Sequence, residues 1–332
     1  MKYIKVNNTQ ICIDNKPIRK LQDKEVLIKT KYVWLCWSDL HKIKNKAFSQ
    51  IVTLWHEIVW KVIDARNSNL IGETVAINPL ICCGSCIFCR NNNSQFCVEW
   101  HSLGKDIDWW FSEFVIAPEN NIYPLEESFN PKLWILIDGM AVVLHSLSLL
   151  KKHTKINKLS DIAIIWDGTI GMLIAILLKK IGIKSVTIFG KKNINKIVKL
   201  GFSGKVFSDI EKTPTEKYDV IFDCVWRAQS SILNQSVRTI KKQWLIMVLW
   251  VYPIDYFLPL NVRNLFYKEV ILLGSNSFSS KKNLSDFCLA YKFIHKHQKD
   301  FLKILGNSYH IDDFEIGVKS ENNYFKTFFY FD

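Results

Sequence analysis

The chain has 332 residues, enough for two domains with large cores, and its hydrophobic content of 48% is ordinary for a globular protein. The formal net charge is +13, but all except six of the 44 basic residues are lysines and they are dispersed, so we predict no nucleic-acid partner. Residues 172–178 form an apolar run too short to span a bilayer, and the N-terminus lacks a signal-like apolar region. We expect a cytoplasmic protein with no membrane partner and with reduced cysteines.

The pattern of predicted secondary-structure elements changes near residue 159. Before it, short β-type runs such as VLIKTKYV and ETVAINPLI are separated by Asn, Pro and Gly. After it, the apolar strand at 161–165 is followed by WDGTIG, the helical run MLIAILLKKIG, the strand SVTIF and further alternating elements. Alternating strands and helices predict an α/β fold with a parallel sheet and right-handed crossovers.

Four cysteines lie at a tight spacing, C-x2-C-x2-C-x7-C. They are Cys83, Cys86, Cys89 and Cys97. A segment this short can fold around one tetrahedral ion, and thiolate sulfurs at about 2.3 Å suit zinc best. Gly84 gives the backbone room to turn between the first two ligands. We predict a structural zinc at these four cysteines and expect Cys82 to point away from it.

A second group of metal-ligand residues precedes these cysteines. Cys36, in LCWSDLHKI, and His56, in LWHEIVW, are ligand types for a catalytic zinc that keeps one position open for water or substrate. Such an ion polarises an alcohol oxygen and lowers its pKa. We predict that Ser38 passes the alcohol proton outward and that His41 takes it.

The third ligand of this zinc is less well defined by the sequence. Asp138, in LIDGMAVVLHSL, is the predicted ligand, and Glu57 is the alternative. For Glu57 we favour a role beside the ligands rather than on the metal. Asp39 is placed to orient His56 by a hydrogen bond.

The segment WDGTIG is a variant of the dinucleotide-binding pattern G-x-G-x-x-G, with Trp166 in place of the first glycine. Between a strand and a helix this pattern marks the turn where the second glycine, here Gly168, approaches a pyrophosphate. The predicted cofactor-binding residues of this turn are Trp166, Gly168, Thr169, Ile170 and Gly171.

The end of the next predicted strand, in VTIFGKK, bears on cofactor choice. An NAD-binding domain usually carries an acidic residue there for the ribose hydroxyls. Gly190 stands near that place, and Lys191 and Lys192 follow it. A missing carboxylate together with two ammonium groups favours a 2′-phosphate, so we predict NADP(H) in preference to NAD(H).

Taken in order, CWSDLH, WHEIVWKV, IGETVAINPLICCGSC, DWWFSEFVIAP, DGMAVVLH and WDGTIG resemble the zinc-dependent medium-chain dehydrogenase/reductases, the group of alcohol, polyol and threonine dehydrogenases. The resemblance runs from about Val26 to the C-terminus. It implies a GroES-like catalytic domain with both zincs, at 1–147 and completed by 276–332, and a Rossmann cofactor domain at 148–275.

The same resemblance implies hydride transfer between a nicotinamide and a small secondary alcohol, polyol or amino alcohol, or the matching ketone. It also implies a homodimer or homotetramer. The polyol-type branch has a Glu at the place of Asp138, so direct and water-mediated binding of zinc by this shorter carboxylate both stay open.

The family pattern has glycine at ten of the twelve tryptophan positions. These are Trp34, Trp37, Trp55, Trp60, Trp109, Trp110, Trp166, Trp226, Trp244 and Trp250. The chain has only 13 Gly, about 4%, against about 7% in typical proteins. We hypothesise that a UGA codon read as glycine in the source has been translated as tryptophan. A deliberate variant and a decayed gene are the competing explanations, and the alternative function is an impaired family member that keeps the zinc-binding fold but not cofactor binding.

Overall fold

The computed structural model describes residues 1–7, 10–34, 58–66, 68–103, 112–225, 230–250, 257–279, 285–320 and 327–332. The chain forms two compact units, one of residues 1–138 and 278–332 and the other of residues 139–277. The sequence analysis placed these divisions at 147 and 275. The first division differs because a helix begins at Ile137 and continues to His153, so no loop marks the passage from one unit to the other.

The first unit is built mainly on antiparallel strands, numbered here in chain order through both units. They are β1 (Lys2–Asn7), β2 (Gln10–Asn15), β3 (Glu25–Trp34), β4 (Ile58–Ala65), β5 (Thr74–Ile77), β6 (Leu80–Ile81), β7 (His101–Ser102), β8 (Phe114–Pro118), β9 (Ile122–Pro124), β16 (Ser308–His310) and β17 (Phe328–Tyr330). The largest sheet has the order β16-β17-β3-β4-β5-β9, with β8 also paired to β3. Buried and partly exposed residues alternate from Glu25 to Thr30 in β3, as expected for a strand with one face on the core.

Among the described residues, four short α-helices belong to the first unit. They are α1 (Ile87–Arg90), α8 (Asp286–Lys296), α9 (Gln298–Phe301) and α10 (Phe314–Ser320). Ser285 caps α8 by accepting a hydrogen bond from the backbone N–H of Cys288 at 3.0 Å. The C-terminal strand β17 pairs antiparallel with β3, so the end of the chain completes the sheet of the first unit.

The second unit contains a six-stranded sheet. Its strands are β10 (Asp161–Ile165), β11 (Ser185–Gly190), β12 (Ser203–Val206), β13 (Tyr218–Asp223), β14 (Ile240–Val248) and β15 (Ile271–Gly274). All neighbouring strands run parallel in the order β12-β11-β10-β13-β14-β15. Counted from β10, this is the order 3-2-1-4-5-6 of doubly wound dinucleotide-binding domains. The predicted α/β fold class is confirmed.

Helix α2 (Ile137–His153) precedes this sheet. A helix then follows each strand from β10 to β14, as the alternating sequence pattern predicted. These helices are α3 (Thr169–Lys180), α4 (Ile194–Lys199), α5 (Asp209–Lys212), α6 (Ser230–Thr239) and α7 (Val262–Lys268). Residues Ile162 to Ile165 of β10 are fully buried, because a parallel strand in the middle of such a sheet is covered on both faces.

Among the residues that the structure describes, one helical stretch is long and apolar enough to cross a membrane by length and composition. It is Pro131–His153, which joins a short 3-10 helix to α2 and has a mean hydropathy of 1.9. In its most apolar window, 72% is buried inside the protein. Core helices of globular proteins pass the same test, and this burial identifies Pro131–His153 as one of them.

Candidate metal centre and cofactor-binding turn

The segment that carries the four predicted zinc cysteines folds back on itself between β6 and β7, which pair antiparallel. Gly84 adopts a φ of 75°, a left-handed conformation that suits glycine in this tight turn. Cys86 stands immediately before α1, and its sulfur accepts a hydrogen bond from the backbone N–H of Cys89. Local hydrogen bonding therefore holds the second and third cysteines at one helical turn.

The sulfur atoms of Cys83, Cys86, Cys89 and Cys97 all lie within 4.8 Å of one another. The sulfur of Cys83 is 4.0 Å from that of Cys89 and 3.5 Å from that of Cys97. A tetrahedral zinc with bonds of about 2.3 Å needs sulfurs about 3.8 Å apart, so the measured distances fit this ion. Cys82 is not part of the cluster, and its thiol donates a hydrogen bond to the carbonyl of Ser94 at 3.4 Å.

The thiols of this cluster differ in acidity even before a metal is considered. The backbone N–H groups of Ser85 and Cys86 lower the pKa of the Cys83 thiol to about 6. Burial raises the pKa of the Cys89 thiol. A zinc ion deprotonates its coordinating thiols outright and balances their negative charge, which makes the donor set consistent with a structural metal site.

The predicted catalytic residues fall mostly outside the described part of the chain. Cys36, Ser38, His41, His56 and Glu57 belong to residues 35–57, together with Asp39. The described strands on either side of these residues are neighbours in the sheet. β3 ends at Trp34, β4 begins at Ile58, and Val33 pairs with Ile58. Asp138 lies in the first turn of α2 and is half-buried.

The predicted dinucleotide turn lies where expected, between β10 and α3. Trp166 has a φ of 113°, a region that L-amino acids with large side chains rarely adopt. Its backbone N–H donates to the carbonyl of Phe189 in β11 at 2.8 Å. Its carbonyl oxygen would lie only 2.2 Å from a Cβ atom built on Gly171. The neighbouring strand and the close packing of α3 thus fix a backbone conformation at position 166 that favours glycine.

The indole of Trp166 covers the next glycine of the turn. A Cβ atom built on Gly168 would lie 2.7 Å from the indole nitrogen, which places the ring directly against this residue. The ring also packs near Phe207, with centroids 5.9 Å apart. Gly168 precedes α3, whose first turn begins with the buried Thr169 and the half-buried Ile170. The bulky ring therefore lies on the surface where a pyrophosphate was predicted to approach.

Asp167 was not among the predicted site residues, and the structure places it at the end of β11. The side chain is 3% exposed and packs against Gly190. Its Oδ2 accepts hydrogen bonds from the backbone N–H groups of Lys191 at 3.0 Å, Lys192 at 2.7 Å and Asn193 at 2.6 Å. The premise that this end of the second strand lacks a carboxylate is therefore wrong, because the first turn supplies one.

The other tryptophans at predicted glycine positions are not strained in the same way. Among the tryptophans that the structure describes, Trp166 is the one with a positive φ. Trp34 and Trp60 lie in β3 and β4, and Trp244 in β14 packs against the core of the second unit. Trp250 follows β14, whereas the remaining five lie outside the described residues. They are Trp37, Trp55, Trp109, Trp110 and Trp226.

The two units, the cysteine cluster and the sheet in dinucleotide-binding order are the features that the sequence resemblance implied. Residues 22–127 match the family described as the alcohol dehydrogenase GroES-like domain. The L-threonine 3-dehydrogenase of Caldanaerobacter subterraneus subsp. tengcongensis is 27% identical over 281 residues, which are 79% of this chain and 78% of that protein.

Two solved structures share the whole fold at 19% identity. One is a short chain alcohol dehydrogenase from E. coli CFT073 complexed with NADH, with a TM-score of 0.86 and coverage of 100% of this chain and 99% of that one. The other is a putative zinc-binding dehydrogenase from Sinorhizobium meliloti 1021 bound to NADP, with a TM-score of 0.85 and coverage of 99% and 98%. The chain is similar to the zinc-dependent medium-chain dehydrogenase/reductases, and these relatives support an oxidoreductase of the dehydrogenase type.

Proposed function

We propose that the protein is a zinc-dependent oxidoreductase that transfers a hydride between a nicotinamide cofactor and a secondary alcohol, polyol or amino alcohol, or the matching ketone. The observation that carries the proposal is the parallel sheet in dinucleotide-binding order, with a glycine-containing turn after its first strand, β10. The threonine dehydrogenase relative acts on an amino alcohol, which supports this substrate class.

The cysteine cluster is proposed to hold a structural zinc. The donor set is four thiols at distances that a tetrahedral ion requires. Gly84 and the cap at Cys86 hold the segment in its fold. Bound zinc would contribute folding free energy to the first unit rather than chemistry.

Cys36, His56 and Asp138 are proposed to hold the catalytic zinc, which supplies Lewis-acid polarisation of the alcohol oxygen. Ser38 would accept the alcohol proton and pass it to His41, the outward end of the relay. Glu57 would orient the site without binding the metal. The support for these roles is the order and spacing of the residues within the family pattern.

A second candidate function, an impaired family member, is favoured by one observation. The indole of Trp166 lies against Gly168, where the pyrophosphate of a nicotinamide cofactor would need close approach to the backbone. The residues of the turn do not fit the cofactor in this conformation. We propose that the chain with tryptophan binds the cofactor weakly and that the chain with glycine at this position binds it well.

Three measurements test the proposal. Metal analysis should give two zincs per chain, and one zinc or none in folded protein would contradict the two sites. Reduction of nicotinamide with a panel of secondary alcohols, polyols and amino alcohols should identify a substrate once glycine replaces the ten tryptophans. The codons of the gene at these ten positions should be UGA. The cytoplasmic location and a dimeric or tetrameric assembly stay predictions from the sequence.

A further inference from the structure

The carboxylate of Asp167 occupies the space that the side chain of residue 190 would fill. A Cβ atom built on Gly190 would lie 2.2 Å from Cγ of Asp167 and 2.5 Å from its Oδ2. Asp167 reaches this place from the turn after β10, because β10 and β11 are paired in parallel and Ile165 lies beside Phe189. A carboxylate therefore stands at the end of β11 although residue 190 has no side chain.

The contacts of Asp167 fix this carboxylate in place. Its Oδ2 accepts three backbone N–H groups, from Lys191, Lys192 and Asn193, at 2.6–3.0 Å. The side-chain amide of Asn193 also donates to the backbone carbonyl of Asp167 at 2.9 Å. A phosphate at this place would have to displace Oδ2 from these N–H groups and would meet a negative charge.

Burial determines whether this carboxylate or the two lysines that follow β11 would have the larger electrostatic effect on a phosphate. Asp167 is 3% exposed, whereas Lys191 and Lys192 are exposed at the surface. The ammonium group of Lys191 lies 5.5 Å from the centre of the Phe207 ring. Exposed charges on flexible side chains are screened by water and salt, and a buried charge is screened much less.

We propose that Asp167 determines cofactor choice and makes the protein select NAD(H) over NADP(H). Asp167 supplies the negative charge that an acidic residue usually supplies at the end of the second strand, and this charge repels a 2′-phosphate. The inference rests on the proposed nicotinamide-dependent function. It reverses the preference expected from the sequence, where Gly190 and the lysines indicated NADP(H).

The test is titration with NADH and with NADPH, in which the fluorescence of the reduced nicotinamide reports binding. It is carried out on the unmodified chain and on the Trp166→Gly chain, in which the pyrophosphate surface is open. Each is compared with its Asp167→Asn form, which removes the charge but keeps an acceptor for the N–H groups, and with its Asp167→Ala form. Asp209→Asn is the matched control, because its carboxylate faces Lys212 at the surface.

NADH should bind more tightly than NADPH to the Trp166→Gly chain. Both Asp167 substitutions should shift the ratio of the two dissociation constants toward NADPH by at least about tenfold, or ~1.4 kcal/mol, and Asp209→Asn should not. Adding Gly190→Asp to an Asp167→Gly chain should restore the preference for NADH, because the carboxylate then comes from residue 190 itself. Glycine is needed at 167 because the Cβ atom of Asp167 lies 2.2 Å from the Cβ position of residue 190.

Equal or tighter binding of NADPH by the Trp166→Gly chain, or a ratio that Asp167→Asn leaves unchanged, would overturn the inference. Circular dichroism spectra establish that each variant is folded. If the folded Trp166→Gly chain binds neither cofactor, the proposed function itself is wrong and the inference falls with it. If either cofactor binds clearly but the ratio of dissociation constants is not the predicted one, the inference is refuted and the proposed function is not.

Discussion

Position 166 offers a direct test of whether the fold calls for glycine there. We compare Trp166→Gly with Trp166→Ala, since both remove the indole and its contact with Phe207. A φ of 113° costs a residue with a Cβ atom about 1–3 kcal/mol, and glycine avoids this cost. Relative to alanine, glycine lowers the free energy of unfolding by about 0.4–1 kcal/mol, because its unfolded chain has more conformational freedom. The glycine variant should therefore be more stable than the alanine variant by about 0.5–2 kcal/mol.

The matched control is Trp244, which lies in β14 where φ is not positive. There alanine should be more stable than glycine by about 0.5–1 kcal/mol, because glycine weakens an extended strand. The free energy of unfolding is measured for all four variants by urea denaturation. The reasoning is refuted if alanine exceeds glycine in stability at position 166 as it does at Trp244.

Three further predictions concern the two units. Cys89→Ser should remove one zinc per chain and lower the melting temperature, as measured by metal analysis and thermal denaturation; unchanged zinc content would contradict the structural site. Lys268→Met should lower the free energy of unfolding by roughly 1–3 kcal/mol, because the ammonium group donates to three backbone carbonyls at 2.7–3.2 Å; Lys242→Met, at an exposed position, should change it little. Hydrogen bonds from Arg19 lower the pKa of Glu25 below its unfolded value, so the pair stabilises the fold above the ordinary pKa of 4.5, and this stabilisation is lost as pH falls through the folded value. Acid titration of stability should therefore show a smaller loss below that pH in Glu25→Gln, and equal losses would exclude the linkage.

The features predicted correctly from the sequence are those that short-range patterns encode. The alternating strand and helix runs after residue 159 gave the parallel sheet, and two-residue alternation marks β3. The clustering of the four cysteines could be predicted from their spacing because all four fall within one short segment around α1, whereas zinc binding by them stays a prediction. In each of these cases the physical constraint acts between residues close in the chain.

The features that the sequence analysis missed depend on contacts between distant residues. Asp167 reaches the end of β11 through the parallel pairing of two strands, and Gly190 leaves the space it fills. The aspartate inside WDGTIG is visible in the sequence, but the sequence does not show that its side chain fills the space beside Gly190. The strain at Trp166 needed the backbone angle, whereas Trp34 and Trp244 fit extended strands, so the ten tryptophans are not equivalent.

The combined effect of the ten tryptophans follows from this difference. Trp166→Gly alone should improve cofactor affinity without restoring full activity. Restoring glycine at all ten positions should raise both the melting temperature and the turnover number. A decrease of both would leave the codon hypothesis without physical support.

The central claim is that Cys36 and His56 hold a zinc at which an alcohol is oxidised by a nicotinamide. The most direct measurement is alcohol-dependent formation of reduced nicotinamide by the glycine-restored, zinc-loaded chain, compared with the same chain carrying His56→Ala. The account predicts turnover with at least one secondary alcohol, polyol or amino alcohol, and loss of turnover in His56→Ala with the fold retained. Equal turnover in the two folded proteins, or none in the restored chain with two bound zincs, would contradict it.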